Sequence, residues 1–436
     1  MKTLPIRPTR PAEAADRPSP APPDMRWRFA RLLSAPHRLG FFAAALLLAT
    51  SALWWAAVLV ARAAGLALPW AVPPSLAHGL LMSLGFMPLF ITGFLFTAGP
   101  RWLALPEVAA ATLRTPVALM VGGWALALAG FHASGTLAAA GLAAVALGWA
   151  ALVGRFIGLL RASPASDRLH ATLVAVAGGI GVLALALASA GLGLGEPVLV
   201  RAAAQIALWG FLAPTFAVVS HRMIPFFTAS ALPALEAWRP NALLAPMLGV
   251  LGLEAIFAVA ELLYWPLPAP ARWVQVGVEA PTAALMLWLA WRWGLVQSLR
   301  IRLLAMLHAG FVWLGLALLL SAVSHALMAT SADSRSLGLA PLHALGMGYL
   351  GATLVAMITR VAAGHSGRPL AADDFVWRLY WILQLGVLLR VAAALWPAAP
   401  AALPLAAVAA WSLAAVGWAL RYGRWLGRPR IDGRPG

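Results

Sequence analysis

The chain has 436 residues, of which 62% are hydrophobic and only 10% charged, with a formal net charge of +17. Soluble domains carry about a quarter charged residues, so this composition excludes an ordinary globular protein and describes one whose main partner is the lipid bilayer. The chain has no cysteine; disulfides, iron–sulfur ligation, covalent c-type haem and thiolate copper sites are excluded, and any metal must use His, Met, carboxylate or backbone oxygen.

Residues 1–36 are rich in Pro, Ala and Arg and read as a disordered cytoplasmic tail. The first apolar segment lies too far in for an ordinary signal peptide and is long enough to be a retained span. Twelve segments of roughly the 17–25 residues that cross hydrocarbon follow one another. They lie near 40–62, 76–99, 115–131, 134–154, 170–192, 199–220, 241–263, 272–293, 301–328, 341–363, 375–397 and 402–421. The expected fold is all-α: a polytopic membrane protein with one twelve-helix domain over 37–423 and a basic cytoplasmic tail over 424–436.

With the N-terminus inside, the inner connections hold Arg38, Arg101, Arg114, Arg155, Arg161, Arg168, Arg222, Arg239, Arg292, Arg300, Arg302, Arg360, Arg368 and Arg378, and the tail from Arg421 onward adds to them. The outer ones hold only Arg62, Arg201, Arg272 and Arg335. This asymmetry is the positive-inside pattern and places both termini in the cytoplasm. It also disposes of nucleic acid as a partner, since the basic residues lie between spans and not on one binding patch.

The same topology sorts the histidines. His78, His325 and His343 lie at outer span ends and His132 in an outer turn, while His37, His170, His221 and His365 lie at the inner side. His308 lies in the inner half of the ninth span. Glu254, Glu261, Gln275, Glu279, Gln384 and Arg390 fall within spans, where ionisable groups are costly and usually mark a cavity, a cofactor or an ion path. The outer half therefore collects His78, His325, His343, Glu261, Glu279 and Arg390. Between the second and tenth spans there is a faint echo, a His with a Met four residues on (His78 and Met82, His343 and Met347), which reads as chance.

The stretch from His343 to Pro369 organises the rest. His343 and His365 stand about 33 Å apart along an unbroken helix at ~1.5 Å per residue, so they serve opposite faces. Ala344, Gly348, Ala352 and Ala356 form a small-residue stripe that admits another helix or a flat cofactor. Gly364 and Gly367 suit a helix C-cap and turn.

His343-Ala344-Leu345, Met357-x-Thr359-Arg360-Val361 and Gly364-His365-Ser366-Gly367-Arg368-Pro369 resemble the corresponding segment of the NnrS family. So does Arg222-Met223-Ile224-Pro225-Phe226-Phe227-Thr228, and more loosely the run from Leu76 through His78 to Gly99-Pro100-Arg101-Trp102. Those proteins are bacterial and multi-spanning, associated with haem, copper and nitric-oxide stress. The resemblance implies a haem-binding protein of the bacterial inner membrane that responds to nitric oxide or other reactive nitrogen species. Neutral imidazoles from two helices can hold iron from both faces, which makes His78 and His343 the candidate pair. Arg390 would then neutralise a propionate. His325 is the substitute ligand or the holder of a second metal, and His221 the inner rival. The inner motif residues Arg222, Arg360, His365 and Arg368 are candidates of unassigned role; positive-inside placement and anionic lipid headgroups would also account for the arginines.

The chain departs from the family in one place. The family's second span opens His-x-His-Glu-Met, whereas this chain has His78-Gly79-Leu80-Leu81-Met82. A copper centre held there in relatives would lack its ligands here. Dioxygen reduction is not expected either, because 241–263 contains no histidine. Each histidine also has a plainer reading, as an interfacial residue hydrogen-bonded to a loop carbonyl. The alternative function is a secondary transporter of a small solute or metal, with Glu254, Glu279 and Arg390 as coupling residues. It would require broken helices at midplane, for which Pro88 and Pro214 are the candidates. A non-catalytic assembly factor is a third reading.

Overall fold

The computed structural model describes residues 24–396 and 398–433. Twelve helices are long and apolar enough to cross a membrane: Pro36–Ala63, Pro74–Trp102, Ala110–Ala133, Gly135–Ala162, Leu169–Leu194, Pro197–Ala231, Asn241–Leu263, Ala269–Arg292, Arg302–Thr330, Ala340–His365, Asp374–Leu395 and Ala402–Leu426. They are numbered here as spans one to twelve. Every expected span is present: apolar runs of this length cross hydrocarbon as helices, which satisfy their backbone polar groups internally. The tight junction at Phe131-His132 is a true break: Ser134 is an extended N-cap whose hydroxyl accepts from the Leu137 N–H.

The spans form two layers. In spans two, six, nine and ten 72–83% of the apolar window is buried, against 28–50% in the other eight. The four therefore make the centre, and the shell turns side chains such as Leu53, Leu147, Leu183 and Leu413 outward, as lipid-facing helices must.

Three of the four central spans contain a π-helical stretch: Leu81–Gly85, Ile206–Leu212 and Ala344–Gly351. Such widened turns arise where the i→i−4 ladder is disturbed, often beside functional sites. Pro88 and Pro214 follow the first two. Lacking an N–H, each leaves the carbonyl four residues back without its usual donor. Both spans nevertheless run on, widened rather than broken.

The small-residue stripe of span ten takes a helix and not a cofactor. Ala344 and Ala352 are fully buried, and a Cβ on Gly348 would stand 2.6 Å from the Trp313 ring of span nine. That ring donates from Nε1 to Gln384 Oε1 (2.8 Å) in span eleven, so the contact couples three helices. Gly348→Ala is therefore expected to destabilise the protein by about 1–3 kcal/mol through overpacking, read as a lower unfolding midpoint in detergent. An unchanged midpoint would mean that Trp313 yields freely.

The C-terminal turn of span ten follows the sequence closely. Gly367 adopts φ +73°, Arg368 N–H donates to Ala363 O (3.1 Å) and Gly367 N–H to Gly364 O (3.3 Å). This is the left-handed cap that ends helices. Gly364 itself stays helical.

Residues 1–23 and 434–436 lie outside the described residues, but the remainder of both expected tails is folded. Trp27 Nε1 donates to Gly423 O (3.1 Å) and Arg28 N–H to Gly427 O (2.9 Å), while Trp27 packs against Phe42. Ile431 N–H donates to Ser366 O (3.1 Å), which fastens the C-terminal stretch to the turn after span ten.

Candidate functional site

A cavity of about 870 Å³ opens among spans one, two, six, ten, eleven and twelve. Ligand pockets typically measure about 300–1,000 Å³, mostly apolar with a few placed polar groups. This one fits that description: Leu76, Phe86, Leu208 and Leu350 supply apolar wall, and His78, His343, Gln205 and three arginines supply the polar groups. All three π-helical stretches contribute, through Met82, Leu208 and Gly346 among others.

The two histidines are held in different ways. His343 Nδ1 lies 2.9 Å from Leu339 O, one turn back in its own span. A carbonyl only accepts, so Nδ1 carries the proton and Nε2 keeps its lone pair. This bond to the second nitrogen is the one that ligating imidazoles usually make. His78 is held by stacking on Trp55 of span one, with ring centroids 3.9 Å apart and planes at 18°. Its Nδ1 is buried with no hydrogen-bond partner.

The electrostatics are one-sided. Arg62, Arg201 and Arg390 line the cavity, no Asp or Glu does, and none of the three arginines makes an ion pair among the described residues. Arg390 is half-buried within span eleven, where a cation calls for a counter-charge, whereas Arg62 and Arg201 are exposed near span ends; an anion inside the cavity could pair with Arg390. Gln205 Oε1 is likewise buried without a partner.

Other expected site residues lie elsewhere. The collection of polar groups in the expected outer half is two sites, not one. His325 and Glu279 are absent from the cavity wall; they pair with each other, Nδ1 to carboxylate at 2.9 Å. His325 thus lies apart from His78 and His343. His221 is no rival either, because both of its nitrogens are engaged: Nε2–H donates to Pro240 O (3.1 Å), and Nδ1 accepts from His170 Nε2 (3.0 Å).

The motif arginines at the opposite end are stacked on aromatic rings. Arg222 lies over Trp102 (4.9 Å), Arg360 over Phe227 (4.1 Å) and Arg368 over Trp425 (4.1 Å). Arg360 on Phe227 brings two of the motifs singled out in the sequence into contact. Thr359 Oγ1 accepts from Trp418 Nε1 (3.0 Å), and the His365 ring sits 4.3 Å from that of His37. This end is tied together by packing.

Sequence reasoning overlooked Trp55, which resembled any interfacial tryptophan, and Arg62 and Arg201, which resembled loop charges. It also dismissed the His-x3-Met echo, yet His78, Met82, His343 and Met347 all line this one cavity. That echo was the signal available.

No curated protein matches the chain. A family model described as NnrS protein matches residues 31–430, nearly all of the chain and every span. The chain belongs to the NnrS family.

Proposed function

We propose that the cavity holds a b-type or other non-covalent haem between His78 and His343, and that through it the protein takes part in the bacterial response to nitric oxide at the inner membrane. One observation carries this reading: two imidazoles share a largely apolar cavity with three arginines that, among the described residues, make no ion pair, and no described acid lines it. The residues suit the group. His343 Nε2 is left as a bare acceptor, Trp55 holds the His78 ring, and Arg390, with Arg62 and Arg201, suits propionate carboxylates. A haem bound there would supply an iron centre for binding or redox conversion of a small diatomic. The chain's own part is to orient two imidazoles, to exclude water with the apolar wall and to neutralise two carboxylates. The arginine asymmetry of the connections supports an orientation with both termini cytoplasmic and the cavity in the outer half.

A second reading concerns copper. Met82 and Met347 bring two thioethers to the same wall as the imidazoles, and soft donors of this kind select Cu(I).

The test is an absorption spectrum of the purified protein, oxidised and dithionite-reduced, with a pyridine haemochrome assay and a copper determination on the same sample. A Soret band with sharp reduced α and β bands is expected. A colourless, well-folded protein from cells supplied with haem sinks the haem reading, and copper without haem favours the second one. Arg390→Gln is expected to weaken haem retention roughly 10- to 100-fold, the loss of a charge-assisted bond of about 1.5–3 kcal/mol, with the bands of the bound fraction unmoved. Retention equal to wild type would show that Arg390 serves another anion.

A further inference from the structure

Apart from the cavity, spans seven, eight and nine bury a second polar cluster. One carboxylate oxygen each from Glu254 and Glu279 and one ring nitrogen of His325 lie within 4.8 Å of one another. We propose that these three side chains form a binding site for one divalent first-row cation of the zinc or manganese class.

Charge is the first argument. Glu254 and Glu279 are both buried, at 5% and 0% exposure, well inside spans seven and eight. Arg272 is the one arginine in the cluster, and it is committed elsewhere: to Glu261, to Asp333 (3.3 Å) and to Gln275 Oε1 (3.2 Å). Two carboxylates therefore share one imidazole. Two carboxylates, a neutral imidazole and a divalent cation sum to zero, which removes most of the cost of burying ions at this depth.

The second argument is an orphaned atom. Glu254 Oε1 is buried with no hydrogen-bond partner, although its neighbours are acceptors or spoken for. The three ligand atoms lie within 4.8 Å of one another and come from three different helices. Metal–ligand bonds of about 2.0–2.2 Å ask the three side chains to close by roughly an ångström, within reach of glutamate rotamers. Gln275 Nε2 lies 3.4 Å from His325 Nε2, a contact that helps fix the ring beside the two carboxylates. Carboxylates with imidazole suit zinc or manganese and not Cu(I). The site is thus distinct from the cavity in chemistry as well as in place.

The test uses the full chain purified in detergent, stripped with chelator and titrated with Zn²⁺, with bound metal counted by elemental analysis after gel filtration. About one zinc per chain is expected in wild type, with affinity lower by at least roughly 10- to 100-fold in Glu254→Gln/Glu279→Gln, whose side chains keep their shape. His325→Asn provides a second variant should that pair fail to fold. Any Soret band should be unchanged in both, so this result stands or falls separately from the haem reading. Wild type that retains no zinc, or variants that retain it equally, would overturn the proposal.

Discussion

Replacing Arg272 with methionine is expected to destabilise the protein by about 3–5 kcal/mol, the usual cost of removing one member of a buried ion pair. Arg272 has no exposed surface, and it faces Glu261 at 27% exposure and Asp333 at 12%. Its guanidinium also packs over Trp265 (5.5 Å) and donates to Gln275. Methionine retains the bulk and loses the charge, so the penalty falls on the acids left behind. Asp333 cannot simply swing away, because the turn after span nine fixes it: Ala332 and Asp333 both adopt positive φ (48° and 59°). Such backbone in non-glycine residues costs of order 1–3 kcal/mol each and persists where the surroundings demand it. Thermal unfolding in detergent gives the readout. Arg272→Met/Glu261→Gln should recover part of the loss, and the double-mutant cycle isolates the pair. Equal stability of Arg272→Met and wild type would mean that the acids reach water without it.

The arginines show how far sequence reasoning reaches. Fourteen inner-side residues against four gives the topology its bias, because charge placement at span ends is a local property. The four exceptions stood as noise. In the structure Arg62 and Arg201 line the cavity and Arg272 neutralises buried acids. The exceptions to a statistical rule were among the functional candidates, and only tertiary neighbours reveal it. The same limit applies to His78 and His343. Spacing shows that a His and a Met four residues on share a helix face; it cannot show that spans two and ten turn those faces toward one space. The twelve spans were legible because hydrocarbon admits only helices and closed barrels, and apolar runs of about 17–25 residues fit only the helix. Which four would form the centre was not, since core and shell spans are almost equally apolar. The π-helical stretches left only the trace of Pro88 and Pro214, and span ten, without a following proline, left none.

His343→Ala and His78→Ala are both expected to abolish stoichiometric haem, and the way each fails tests the geometry. His343 is set by a bond to its own helix, Nδ1–H to Leu339 O, so its removal leaves the rest of the wall intact. A protein that folds and elutes as wild type, without the Soret band, is the expected product. Exogenous imidazole should restore part of the band by filling the space the side chain left. His78 is placed by Trp55 across a helix boundary, so Trp55→Leu should imitate His78→Ala in part. Its haem should be retained but bound roughly tenfold more weakly, as positioning partners of metal ligands typically cost 10- to 100-fold. Haem that survives both histidine substitutions would move the ligands elsewhere. His221 is then a poor refuge, since both of its nitrogens are occupied. The pair of buried His37 and half-buried His365, 4.3 Å between rings at the other end of the bundle, becomes the place to substitute next. Loss in one variant alone would indicate that one of the two imidazoles suffices to hold the group, which would leave room for a small diatomic ligand. The comparison of the two variants therefore separates a closed, electron-carrying centre from one that binds nitric oxide directly.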